Sequence, residues 1–210
     1  GENAEILTVP RAANVLAFRK CDQLTLQGLT IGHTEAAEAC EGGVIGLESC
    51  VDTTIDNCSL YGCGTVGVWA EQSSNLKVKD TEIYHCSSAG ISFWEAASLS
   101  VDSCKIYDCG EEGAYQQAAG AFLFYNASDV AVRNCEIYEN YLQALIQGSP
   151  RQSTFDNISV HDNHIKNVFS DGGLQFTDLS FNNNIINKWI GNTTSQNNTV
   201  SIDGAETTEA

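Results

Sequence analysis

The sequence predicts an all-β protein, a single-domain right-handed parallel β-helix of about seven to eight coils. A similar unit recurs at intervals of 23 residues, from Ile55 to Val78 and from Val78 to Val101. Inside each unit apolar residues alternate with polar ones, and short runs of Asn, Asp, Gly and Ser separate the segments. A fixed period of this size is typical of a solenoid, in which each unit buries its apolar side against its neighbours.

The repeat is clearest in residues 51–109, which read VDTTIDNCSLYGC, SNLKVKDTEIYHC and ASLSVDSCKIYDC. Weaker copies extend it in both directions, and Val15–Phe18 fits a coil before the first copy. We expect these further units to place four residues in the column of Ile55: Leu26, Val132, Val160 and Phe181. The β-helix region is predicted to span residues 1–190, and residues 191–210 to form a last short strand and a polar, acidic tail.

A leucine-rich repeat is the alternative architecture, because its consensus also places Leu at alternate positions before Asn or Cys. That fold needs a helical or extended convex segment in each unit. Here Gly67–Ala70 and Gly90–Trp94 occupy that position and have the alternation of a strand. The β-helix is therefore favoured.

Small residues recur at two positions where each unit is predicted to bend. We expect inward columns in which their polar groups bond along the helix axis, one of Cys58, Thr81, Cys104, Cys135, Asn163 and Asn183, the other of Cys63, Cys86, Cys109 and Asn140. Side chains stacked on parallel strands lie nearly 5 Å apart, further than the roughly 3.8 Å that a relaxed disulfide needs. The column cysteines are expected to be reduced, and Cys21 with Cys50 is the best candidate pair for any bridge.

The charge balance excludes two classes of partner. The chain carries 27 acidic and 10 basic residues and a formal charge of −17, whereas nucleic acids and anionic membranes attract positive surfaces. No apolar run approaches the ~18 residues that span a bilayer. Because the sequence contains no Met, we expect a processed or excised piece of a longer protein, which leaves flanking domains and oligomeric state open.

A groove is predicted where two short coils lie between two long ones, over the second and third coils. The long coils carry insertions after His33 and after Cys109, and the short ones carry small residues after Tyr61 and Tyr84. Aromatic faces beside carboxylates suit sugar rings, which stack on the former and hydrogen-bond to the latter. The candidate ligand-binding residues are Tyr61, Tyr84, His85, Trp69, Trp94, Glu35, Glu38, Glu111 and Glu112. The alternative is that the tyrosines form a stack that only stabilises the coils.

Charged residues offer several catalytic or metal-binding alternatives. A β-elimination would use Lys79 or Arg133 as base and nearby aspartates as calcium ligands, and a hydrolase would pair Glu111 with Glu38 or use Asp171. His33 with Glu35, Glu38 and Cys40 could hold a metal ion, although no Cys-x2-Cys zinc motif occurs. Two mixed-charge columns are otherwise expected to form surface ion pairs: Asp56, Lys79, Asp102, Arg133 and His161, and Ser59, Glu82, Lys105, Glu136 and His164.

The coil pattern I-x-x-[NC]-x-I-x-x-[NC] resembles the repeat of the pectin-lyase-like superfamily. Leu29–Thr34, Gly42–Val44 and Leu60–Gly64 are similar to a group of uncharacterised bacterial β-helix surface proteins. The resemblance covers about residues 5–190 and implies the fold. It implies little about activity, because the superfamily includes lyases, hydrolases, esterases, epimerases and adhesive shafts.

These observations favour a secreted or cell-surface module that binds a glycan or other surface ligand without catalysis. No cofactor is expected, with calcium as an alternative, and the partners considered are a polysaccharide or a second copy meeting an uncapped end of the solenoid. A polysaccharide lyase or glycoside hydrolase, and a passive structural or adhesive shaft, are the alternative functions. No residue can be assigned a catalytic role from the sequence.

Overall fold

The computed structural model describes residues 4–9, 13–34, 42–62, 65–110, 118–169, 174–182, 184–188, 194–196, 199–202 and 205–208. All the secondary-structure elements in these ranges are β-strands, wound into a three-sided parallel β-helix. No helix that could cross a membrane occurs in these ranges. The predicted fold class is therefore confirmed.

Each coil passes through three faces in order. The first face is a sheet of eight strands, one from each coil: β2 (Leu16–Arg19), β5 (Ile45–Glu48), β8 (Val66–Glu71), β11 (Ala89–Trp94), β14 (Ala118–Tyr125), β16 (Tyr141–Gln147), β18 (His164–Phe169) and β20 (Ile185–Lys188). The second face begins with β3 (Thr25–Gln27), β6 (Val51–Asp56), β9 (Ser74–Lys79) and β12 (Ala97–Asp102). The third face begins with β1 (Ala4–Thr8), β4 (Leu29–His33), β7 (Ser59–Tyr61), β10 (Glu82–Tyr84) and β13 (Lys105–Tyr107).

In the later coils the second and third faces are joined by long strands. These are β15 (Ser128–Tyr138), β17 (Arg151–His161) and β19 (Gln175–Asn182), so both faces belong to one 15-stranded sheet. The segment after residue 190 contains β21 (Thr194–Gln196), β22 (Thr199–Ile202) and β23 (Ala205–Thr208). Strands β22 and β23 pair antiparallel, whereas the other paired strands are parallel. The division of the chain at residue 190 stays a prediction.

The core consists of apolar columns that run the length of the helix. On the second face the paired strands align a buried column of Leu26, Ile55, Val78, Val101, Val132, Phe155 and Phe176. On the third face they align Ile31, Leu60, Ile83, Ile106, Ile137, Val160 and Phe181. Burying one such side chain contributes about 1.5–3 kcal/mol, so stacking successive coils supplies the stability that a single coil lacks.

Polar residues with left-handed backbone conformation make the bends. Between the second and third faces these residues are Asn57, Asp80, Ser103, Asn134 and Asn157, with φ between 49° and 55°. Short polar side chains tolerate this region better than bulky ones because they can hydrogen-bond locally. A left-handed polar residue thus lies directly before each small residue of the Cys58 column, where the sequence predicts a bend.

The predicted register is wrong after Val132. Val132 pairs with Phe155, and Val160 instead pairs with Ile137 on the third face. His161 therefore follows Tyr138 and not Arg133, which pairs with Asp156. His164 lies on the first face opposite Tyr141, while Glu136 pairs with Ser159. The error arises because Val160–Asn163 resembles Val132–Cys135, although the two segments form different bends.

Asparagine occupies only one of the two inward bend columns. Asn163 follows Asn140 in the column of Cys109, and Asn184 comes next, whereas Asn183 lies outside the described residues. Each Oδ1 accepts hydrogen bonds from the coil before, as in Asn140 N to Asn163 Oδ1 at 3.0 Å. Each Nδ2 donates to main-chain oxygens, as in Asn163 Nδ2 to Ile137 O at 2.9 Å. The ladder confirms that polar groups bond along the column, and it satisfies main-chain groups that have no access to water.

Seven cysteines lie within the described residues, and all are unbridged: Cys21, Cys50, Cys58, Cys86, Cys104, Cys109 and Cys135. Cys40 and Cys63 lie outside the described residues. A hydrogen bond with Cys109, together with burial, raises the pKa of the Cys86 thiol. The buried members of this set therefore act as small core residues.

Candidate functional site

The structure separates the predicted aromatic residues into two surfaces. Four tyrosines and a histidine occupy successive coils at the end of the third face and form the tyrosine stack: Tyr61, Tyr84, Tyr107, Tyr138 and His161. Neighbouring ring centroids lie 5.4, 4.9, 4.9 and 5.2 Å apart, with planes within 14° of parallel. Because each inner ring has a neighbour on both sides, most of the aromatic face area is covered by the stack itself.

Partial burial and neighbouring carboxylates shift the pKa of several groups in the tyrosine stack. Partial burial and the nearby Glu82 carboxylate raise the pKa of Tyr107, whose hydroxyl donates to Glu82 Oε2 at 3.5 Å. Burial, with Glu136 nearby, also raises the pKa of Tyr138. The sequence did not place His161 here. Partial burial lowers its pKa, but hydrogen bonds with Glu136 and Asp162 outweigh that effect and raise it overall.

Trp69 and Trp94 lie on the first face, where they line a shallow depression of about 390 Å³. We call this surface the tryptophan depression, and its lining residues are Asn14, Gly43, Thr65, Val66, Trp69, Ser88, Ser92, Trp94 and Leu123. Trp69 projects from β8, and Ser92 and Trp94 project from β11, the next strand of the sheet. The depression therefore combines two indole rings with hydroxyl and amide groups on one rigid sheet.

Glycines make room for the tryptophan depression. Gly46, Trp69, Ser92 and Leu123 occupy successive positions of one outward column on the first face. A Cβ at Gly46 would lie 2.2 Å from Asn14 Nδ2 and 3.6 Å from Trp69 Cε3, so Asn14 occupies the space that a side chain would take, with the indole at contact distance. Asn14 is fixed there by its Oδ1, which accepts from Gly43 N at 2.8 Å.

Ser92 orients the more exposed indole. Trp94 Nε1 donates a 2.7 Å hydrogen bond to Ser92 Oγ, although Trp94 itself is 42% exposed. Its ring lies 5.0 Å from that of Tyr125 at 34°, a tilted contact in place of a parallel stack. Tyr125 is 53% exposed, so this pair leaves aromatic surface open to solvent beside the depression.

The remaining predicted site residues are distributed as follows. Glu35, Glu38, Glu111 and Glu112 lie outside the described residues. His85 contacts Tyr84 edge to face and its Nε2 lies 2.5 Å from Asp108 Oδ2, on the solvent side of the tyrosine stack. Between the strands that bound them, residues 62–65 and 85–88 are short connections and residues 34–44 and 108–117 long ones. The groove between them stays a prediction.

Sequence reasoning missed Asn14, Ser92 and Leu123, and it placed Ser88 only among the small residues of a short connection. The 23-residue period was a usable signal for part of this set, since it places Gly46, Trp69 and Ser92 in one column. It could not place Asn14 or Leu123, because their coils differ in length.

The described residues give little support to a lytic centre. Lys79 Nζ lies 2.9 Å from Asp56 Oδ2, and that hydrogen bond raises the pKa of Lys79, the opposite of what a general base needs. Within the described ranges no group of three or more His, Cys, Asp and Glu side chains could hold a metal ion. The carboxylates considered for hydrolysis, Glu38, Glu111 and Asp171, lie outside these ranges, as do Glu35 and Cys40 near His33.

His33 is the one residue of the proposed metal set that the structure describes. It is buried, and its Nε2 lies 3.4 Å from Ala13 O. Its Nδ1 has no hydrogen-bond partner among the described residues. The close approach of Gly62, where a Cβ would lie 2.5 Å from Nδ1, shows that His33 is packed into the corner of the coil.

Comparison with solved structures finds the same fold in proteins of very different sequence. The chain is similar to pectate lyase Pel9A, with a TM-score of 0.60, 10% identity, and coverage of 94% of this chain and 54% of that one. A DFA-IIIase from Arthrobacter chlorophenolicus A6 matches with a TM-score of 0.55, 14% identity, and coverage of 90% and 49%. The tailspike protein gp49 from Pseudomonas phage LKA1 matches with a TM-score of 0.50, 11% identity, and coverage of 96% and 44%.

The chain thus spans about half the length of the pectate lyase and of the DFA-IIIase. No curated protein sequence matches it. The family model for the right handed beta helix region matches residues 19–207, nearly the whole chain. The protein therefore belongs to the right-handed β-helix family, with the pectin-lyase-like fold.

Proposed function

We propose that this chain is a non-catalytic carbohydrate-binding module that works outside the cell or at the cell surface. The tryptophan depression is its binding surface. The observation that carries the proposal is the placement of Trp69 and Trp94 on adjacent strands of the first face, beside Ser88 and Asn14. Sugar rings present apolar C–H faces and polar hydroxyl edges, which match exposed indoles and hydroxyl or amide groups.

Rigidity supports the proposal as well. Trp94 is oriented by Ser92, and Trp69 lies against Gly46 and Asn14 on a continuous sheet. Aromatic side chains held in this way lose little conformational entropy when a ligand binds, which favours affinity from a small contact area.

The similar solved structures support the ligand class only by analogy. One is a pectate lyase and another a DFA-IIIase, so this fold can act on carbohydrates. The tailspike protein of a phage is consistent with a role outside the cell. Because identities are 10–14%, these activities do not transfer to this chain, and the raised pKa of Lys79 favours binding over elimination.

A glycan array followed by product analysis tests the proposal. We expect retention of one or a few glycans without new reducing or unsaturated ends. New ends would replace the proposal with a lyase or hydrolase, and absence of binding across the array would indicate a passive shaft. Binding should persist in EDTA, because no cofactor or calcium ion is part of the proposed surface.

Mutation of the depression provides the specificity control. Trp69→Phe keeps an apolar ring but reduces its area, so retained glycans should bind more weakly without loss of fold. Tyr138→Phe, on the third face, is the matched control and should bind as the wild type does. A glycan whose binding falls in Tyr138→Phe and not in Trp69→Phe would contradict the assignment of the surface.

A further inference from the structure

None of the described residues that line the tryptophan depression is charged. The described residues that line it are aromatic, aliphatic, glycine, hydroxyl or amide residues, and none is acidic or basic. A site that binds an acidic sugar normally places Arg or Lys where it can pair with the carboxylate. This surface offers only neutral hydrogen-bonding groups.

Acidic residues border the end of the depression at Trp94. Glu71 pairs in register with Trp94, and Glu48 pairs in register with Glu71. Arg19 heads the same row, but its Nε lies 2.7 Å from Glu48 Oε2. Glu95 follows Trp94 directly and its Oε2 accepts from Gln72. This row of residues in register, Arg19, Glu48, Glu71 and Trp94, therefore presents carboxylates to a ligand that stacks on Trp94. Its arginine is already ion-paired with Glu48.

The net negative charge of the chain also disfavours binding of acidic sugars. With a formal charge of −17, the protein repels polyanions at long range, an effect that salt screens. At short range, burying a carboxylate against the indoles without a cationic partner carries a desolvation cost that salt does not remove.

We infer that the tryptophan depression selects uncharged sugar units and rejects uronates. This inference rests on the proposed function, because it names the substrate class of the same surface. It distinguishes this chain from the pectate lyase that shares its fold, whose named substrate is a polyuronate. The recognised unit is a neutral pyranose that stacks on Trp94 and hydrogen-bonds to neutral groups such as Ser88 and Asn14.

Matched polysaccharides that differ only in charge test the inference. Galacturonan, glucuronan and mannuronan are each compared with the carboxyl-reduced polymer made from it, by titration with the purified chain at low and at high salt. We expect at least one reduced polymer to bind about tenfold or more tightly than its parent. The difference should narrow in high salt but persist, because only its long-range part is screened.

The outcomes separate the two claims. Equal or tighter binding of a uronate would overturn the inference while leaving glycan binding intact. Binding to neither member of any pair would also overturn the inference, whereas only absence of binding across the glycan array would contradict the proposed function.

A charge placed in the depression provides a second test. Ser88→Lys introduces an ammonium group at the rim without changing the main-chain bonds from Ser88 N to Thr65 O and from Ala119 N to Ser88 O. It should raise affinity for the uronate polymer about fivefold at low salt, with loss of the gain at high salt. Ser100→Lys adds the same charge at an exposed position on the second face and should change nothing. Equal behaviour of the two variants would overturn the inference.

Discussion

The two aromatic surfaces of this β-helix use the same kind of residue in opposite ways. In the tyrosine stack, the rings repeat in register and cover one another at 4.9–5.4 Å. In the tryptophan depression, Trp69 is flanked in its column by Gly46 and Ser92, so neither of its register neighbours is aromatic. In a regular column the aromatic faces therefore pack against one another and stabilise the fold. In an interrupted column they stay open to a ligand.

The largest predicted effect breaks the tyrosine stack. Tyr107→Ala removes a ring that stacks on both Tyr84 and Tyr138. Aromatic pairs contribute about 0.5–1.5 kcal/mol each, so the free energy of unfolding in denaturant should fall by about 2 kcal/mol. Glycan binding at a denaturant-free reference point should be unchanged. Tyr107→Phe keeps the ring and is the control, expected within about 0.5 kcal/mol of the wild type.

The next largest effect is expected when a solvent-accessible indole of the depression is removed. Trp69→Ala should weaken binding of a retained glycan about tenfold, which is about 1.4 kcal/mol, because one of two stacking faces is lost. The measurement is a calorimetric titration, with folding checked by circular dichroism. Thr54→Ala, on the outward side of the second face next to the core column, is a control that should bind normally. A loss below twofold for Trp69→Ala would show that this indole is not part of the surface.

A smaller effect follows from loosening Trp94. Ser92→Ala removes the hydroxyl that accepts from Trp94 Nε1, so the ring should remain but lose its fixed orientation. We expect a cost in binding of about 0.5–1 kcal/mol, visible as a faster dissociation rate. Unchanged dissociation kinetics would show that recognition does not depend on this hydrogen bond.

The smallest effect is a pH dependence within the tyrosine stack. The folded-state pKa of His161 lies above its ordinary value because of Glu136 and Asp162. Its contribution to stability should therefore be fully present below the unfolded-state pKa of about 6.5, and should be lost as the pH rises through the folded-state value. Such exposed pairs contribute about 0.5 kcal/mol. Denaturant titrations of the wild type at pH values below and above the pKa of His161 should show this loss of stability, and His161→Gln should not. An identical pH profile for the two proteins would contradict the role of His161.

Much of the fold could be predicted because every coil has to align its apolar residues with the next. The 23-residue period placed Ile55, Val78 and Val101 in one column, as the structure does. The prediction assigned Val160 to the second face, whereas it lies on the third. The reason is that Ile158 and Leu179 take the place of cysteine in the Cys135 column in the next two coils. Without a cysteine at that position, the bend at Asn163 after the third face resembles in sequence the bend at Cys135 after the second face.

The candidate site was harder to predict than the fold. The sequence predicts one groove for Tyr61, Tyr84, Trp69 and Trp94, since all four lie close to the short connections. The structure places the two pairs on different faces, because the chain turns at His85 between β10 and β11. Asn14 and Leu123 reach the depression from coils of other lengths, so no constant spacing connects them to Trp69.

The contrast between the two surfaces is tested most directly by one calorimetric titration series. A glycan retained by the array is titrated into the wild type, Trp94→Ala and Tyr84→Ala, each at a temperature where it is fully folded. We expect Trp94→Ala to lose about tenfold or more in affinity, and Tyr84→Ala to bind within about twofold of the wild type despite its lower stability. Loss of binding in Tyr84→Ala with retention in Trp94→Ala would contradict the account and assign recognition to the tyrosine stack.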